Sequence, residues 1–110
     1  MVEIKIKADN KFVIVNDGHE YNEYIWCWSQ YRELRDGKFV YSYIFNPNHQ
    51  AVIFNSRQHA EDAMEKISNK DYHKEGAVIM CVEDYIKLYW RKFHKLPKNI
   101  DIDLYLNNVD

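Results

Sequence analysis

Glycine and proline are scarce, at 3 and 2 residues in 110. That excludes a loop-dominated or collagen-like chain. It also leaves no glycine-rich phosphate loop after a strand, so neither a Walker A nor a dinucleotide fingerprint is present. The 2 cysteines, Cys27 and Cys81, form no C-x-x-C pair. Both lie in apolar strand-like runs and read as buried thiols of a reducing compartment. Spacing alone does not decide whether a disulfide joins them. The formal net charge is -2, which gives no whole-molecule attraction to nucleic acid or an anionic membrane. No run approaches the roughly 20 apolar residues of a membrane helix. No apolar leader follows a basic start, and the expected location is cytoplasmic.

What is abundant is apolar and aromatic side chain, at 46% and 15%. Disorder is excluded on that ground. The length suits one domain, residues 1-110, with a single core. Tyr24 to Phe45 is its densest aromatic stretch, with Asp36-Gly37 in the middle. Asp-Gly between two β-prone runs predicts a hairpin with a two-residue turn, since both central positions need positive φ. The register then sets Leu34 opposite Phe39, Arg32 opposite Tyr41, Gln30 opposite Tyr43 and Trp28 opposite Phe45, all on one face. A lone hairpin is marginal in water, so this aromatic face needs a cover.

The flanks supply candidates. Val2, Ile4 and Ile6 alternate with charged residues as in an edge strand. Lys11 to Asn16 reads as a strand covered on both faces, hairpin-paired with the first if Asp9-Asn10 make the turn. Ala51 to Phe54 reads as a short buried strand. Asn55 and Ser56 offer caps to a helix whose stripe is Ala60, Ala63, Met64 and Ile67. Ala77 to Val82 is a further strand, parallel or antiparallel to its neighbour. Glu83 and Asp84 open a second helix with the stripe Ile86, Tyr89, Trp90 and Phe93, widened by Tyr85. This helix is the expected lid over the aromatic face. Ile100, Ile102, Leu104 and Leu106 read as a last edge strand. The fold class is α+β: an antiparallel or mixed sheet around the hairpin with two helices packed on it.

Chemistry-bearing patterns are sparse. None of the 5 histidines stands at helical spacing from another histidine or a cysteine, so no metal site and no cofactor are expected. Asp101 and Asp103 share a strand face and read as a solvated edge. A cysteine paired in space with a histidine would make a small nucleophilic enzyme, but buried strand thiols are usually inert. Lys87, Arg91 and Lys95 form a ridge at helical spacing, joined by Lys92. It is either a solvent face that suits the helix dipole or a contact for phosphate or an acidic partner. Tyrosine and tryptophan enrich at protein interfaces. Trp26, Trp28, Arg32, Tyr41 and Tyr43 are therefore the partner-binding candidates beside Lys87, Arg91, Lys92 and Lys95.

Ala51–Ile67 reads A-V-I-F-N-S-R-Q-H-A-E-D-A-M-E-K-I. It resembles a strand–cap–helix pattern of small phage and mobile-element proteins, over about a sixth of the chain. The richness in Lys, Asn, Ile and Tyr also looks like an AT-rich genome. The resemblance implies a compact accessory protein, such as an anti-CRISPR-type inhibitor that blocks a host defence nuclease by binding it. The expectation is a non-enzymatic protein-binding module. The alternatives are a nucleic-acid-binding protein using the basic helix face and the Cys/His enzyme. A homodimer stays open.

Overall fold

The computed structural model describes residues 3–6, 10–17 and 24–109, with side chains at 10–17 and 24–106. Ala8-Asp9 and the polar stretch His19 to Glu23 lie outside these.

The long hairpin forms as its turn residues dictate. Strand β3 (Trp26–Arg35) pairs with β4 (Lys38–Asn46) in the register expected from Asp36-Gly37. Both turn residues have positive φ, at 51° and 76°. β2 (Phe12–Asn16) pairs antiparallel with the start of β3. β5 (Gln50–Ala51) pairs with β3 further along. β6 (Val78–Cys81) closes the far side against β2, also antiparallel. β6 thus lies beside β2 and not beside the strand at Ala51, so the crossover that would have joined those two strands as neighbours does not form. The order is β4-β3-β2-β6, with β5 beside β3.

Two helices cover opposite faces, making three layers. α1 (Arg57–Lys66) starts at Ser56, whose hydroxyl accepts the amide of His59 at 3.1 Å. Its stripe packs Ile67, Ala63 and Met64 with Ile14, Phe45, Trp26 and Trp28. α2 (Val82–Phe93) follows β6 without a loop. It packs Val82, Tyr85 and Ile86 with Val13, Val15 and Cys27, the other parity of the same strands. The expected roles are therefore exchanged: α1, not α2, lies on the aromatic face. The reason is alternation. Trp26, Trp28 and Ile14 point one way, while Cys27, Val13 and Val15 point the other.

Three further expectations change. Trp90 leaves the stripe of α2 and is half exposed; Tyr85, Ile86, Tyr89 and Phe93 make the packed face. The first strand, β1 (Glu3–Ile6), pairs not with β2 but with β7 (Leu106–Val109), as a separate two-stranded sheet. The alternating run from Ile100 is interrupted by a 3-10 turn at Ile102–Leu104. It buries Ile100 and Tyr105 but leaves Leu104 out.

Candidate functional site

The β3–β4 ribbon outruns its cover. At its root, Phe45 is 2% exposed, and Trp28 meets it edge-on with ring centroids 5.2 Å apart. Trp26 stacks on His73 at 4.3 Å. Towards the tip no described helix reaches. Leu34, Phe39 and Tyr41 are 65%, 66% and 65% exposed, and Val40, Tyr43 and Ile44 are also open. Burying a side chain of this size is worth about 1.5–3 kcal/mol, and the fold leaves that unused. Exposed apolar side chains scattered singly are ordinary; a contiguous group is not.

Arg32 lies within this group, its guanidinium 4.5 Å from the Phe39 ring centroid. Such an exposed stack is worth about 0.5–1 kcal/mol and holds the cation flat on the ribbon. On the opposite face Ser42 donates to Glu33 at 2.7 Å, and Arg35 pairs with Glu33 at 2.8 Å. The Ser42 hydroxyl, helped by Arg35, holds the Glu33 carboxyl below its ordinary range.

Where the ribbon leaves the body, a cleft of about 400 Å³ opens on the aromatic face. Trp28, Tyr43, Val52, Phe54, Ala63 and Ile67 line it, and Lys66 stands at its rim. Tyr43 stacks on Trp28 at 6.2 Å, so the cleft and the open tip form one surface. Of the residues singled out from sequence, Arg32, Tyr41 and Tyr43 belong to this open surface. Trp28 forms its floor. Trp26 lies deeper, under α1 and His73. Leu34, Phe39 and the cleft residues of α1 were not singled out. Leu34 and Phe39 could have been found from the hairpin register alone; the cleft depends on where α1 docks.

The basic helix lies on the other face of the sheet. Lys87 pairs with Glu83 at 3.1 Å, and Lys92 donates to Asp17. Arg91 is exposed, and Lys95 lines a hollow of about 240 Å³ with Tyr24, Tyr89 and Phe93. Two of the four cations thus already carry acidic partners.

The two thiols are both shielded from solvent, Cys27 fully and Cys81 in part. Burial pushes Cys27 up to about 11, partly offset by the polar side chains of Tyr85 and Asn99 beside it. Cys81 caps α2, its Sγ accepting the Asp84 amide at 3.4 Å, and burial raises it too. Both cysteines are free, and no histidine bonds to either among the described residues. Tyr85 donates to Asn99 Oδ1 at 2.7 Å, and burial pushes the phenol strongly up. This knot sits in the core, with Cys27, Tyr85 and Asn99 all buried. Among the described residues, no group of three or more His, Cys, Asp or Glu could hold a metal ion. No helix there is long and apolar enough to cross a membrane. Comparison with protein-family models, curated proteins and solved structures returns no match.

Proposed function

We propose that the protein is a non-enzymatic binding module that docks on another protein through the outer half of the β3–β4 ribbon and the cleft at its base. The carrying observation is the contiguous open set Leu34, Phe39, Tyr41 and Tyr43 beside Arg32. Rigid aromatic rings with a central arginine are the composition of interface hot spots. A partner that fits would place an apolar side chain in the cleft and acidic groups near Arg32 and Lys66. Trp28 floors the cleft and Trp26 packs at the root of the same face. The resemblance of Ala51–Ile67 to phage accessory proteins favours a host nuclease as that partner and inhibition by occlusion as the outcome.

The test is capture from a bacterial lysate with three folded proteins. One is wild type, one carries Tyr41→Ala with Tyr43→Ala, and one carries Lys87→Ala with Arg91→Ala and Lys95→Ala. A specific protein that is lost only with the ribbon variant supports docking through the ribbon. Loss with the helix variant alone, or salt-sensitive recovery of nucleic acid in its place, overturns it. So does the absence of any protein partner.

A further inference from the structure

Among the described residues β4 is the last strand of its sheet, and no described strand pairs with its outer edge. Natural edges are blunted by charges, proline, bulges or shortness. β4 has 9 residues, and Phe39 to Phe45 contains no charge, glycine or proline. Such a segment left bare is a template for pairing with another chain.

The segment is also close to its own mirror in sequence, differing only by Val40 against Ile44. It reads Phe39-Val40-Tyr41-Ser42-Tyr43-Ile44-Phe45. An antiparallel pairing of two copies about Ser42 sets Phe39 opposite Phe45, Val40 opposite Ile44 and Tyr41 opposite Tyr43. A two-fold interface requires that reciprocity. Aromatic and β-branched cross-strand pairs are favourable ones.

The main chain has the matching parity. Trp28 gives its carbonyl to the Val52 amide at 2.9 Å, away from β4. Trp28 and Phe45 are therefore a non-hydrogen-bonded pair, and Phe45 also turns its N–H and C=O outward. Alternation then points the N–H and C=O of Tyr43, Tyr41 and Phe39 outward as well. In the symmetric register those outward residues meet outward residues, and Ser42 meets Ser42 at a non-hydrogen-bonded position on the axis.

From this we infer that a second copy of this chain pairs with the outer edge of β4, antiparallel and centred on Ser42. The result is a closed two-fold dimer with one sheet running through both bodies. It goes beyond the docking reading because it uses the edge and not the face. The rings at 39, 41 and 43 of both copies stay on one face, so dimerisation extends the proposed contact surface.

The experiment measures molar mass by sedimentation at tens of micromolar, together with crosslinking in a Cys81→Ser background. Wild type is expected to sediment as a dimer. Tyr41→Pro removes an outward donor without touching the β3 ladder, and should raise the dimer dissociation constant at least about tenfold. Ser42→Cys should give a covalent dimer on mild oxidation, because Cα atoms about 4.5 Å apart fall within disulfide reach. Val40→Cys alone should not crosslink, but should do so when mixed with Ile44→Cys. The crosslinks do not depend on Tyr41→Pro remaining folded. A monomer at these concentrations, or a dimer in which Ser42→Cys stays uncrosslinked, overturns the inference. Either result leaves partner capture by the ribbon face to be judged on its own test.

Discussion

Phe39 and Phe45 sit on the same strand and point to the same face, yet one is 66% exposed and the other 2%. Leu34 and Trp28, their cross-strand partners, divide the same way. Local sequence is equally β-prone at both ends. What separates them is where α1 sits: it lies on the β2 and β6 side of the sheet and packs with Phe45 and Trp28 at the root of the ribbon. Strand propensity built the whole ribbon, but the docking place of α1 decided which half became core. The same side-chain chemistry therefore stabilises the fold at the root and is left available for association at the tip.

The largest effect should come from Phe45→Ala. Truncating a buried phenylalanine costs about 3–5 kcal/mol, measured by urea unfolding. A small loss there would mean that α1 does not seal the root. High pH should come next. In the fold Cys27 keeps its proton up to about 11, from an ordinary 9.0. Between those values the folded state binds more protons than the unfolded chain, so stability falls as pH rises. The slope is up to about 1.4 kcal/mol per pH unit, and Tyr85 adds to it further up. Cys27→Ala should flatten the lower part of that slope. Ser56→Ala removes the cap of α1 and should cost about 1 kcal/mol, read as a shift in the urea midpoint.

Phe39→Ala, in dilute solution, should change stability by no more than about 0.5 kcal/mol while weakening association. A core-sized loss would show that the tip is covered. The smallest effect is local. Ser42→Ala should let the Glu33 carboxyl titrate higher, followed by NMR, with the fold unchanged.

The local features were legible in the sequence. Asp36-Gly37 specified the turn and through it nine cross-strand pairs. Ser56 and the alanine-spaced stripe specified α1. The non-local features were not. Whether a helix covers the Cys27 or the Trp28 side is a question of one residue's parity, settled by the pairing of β6 with β2. The pairing of β1 with β7 joins the two ends of the chain, and no local pattern encodes it. The alternation from Ile100 misled because Tyr105 is buried and Leu104 is not. A 3-10 turn has period three, not two. The candidate site was half visible: its aromatic content stood in the hairpin, but its cleft exists only once α1 is docked.

The direct passage from β6 into α2 sets a limit on how this gene can change. Cys81 ends the strand and caps the helix at once, leaving no slack residue between the two. One inserted residue there would turn the helix by about 100°, swinging Tyr85 and Ile86 out of the core. Insertions at the Cys81–Val82 junction should therefore be purged.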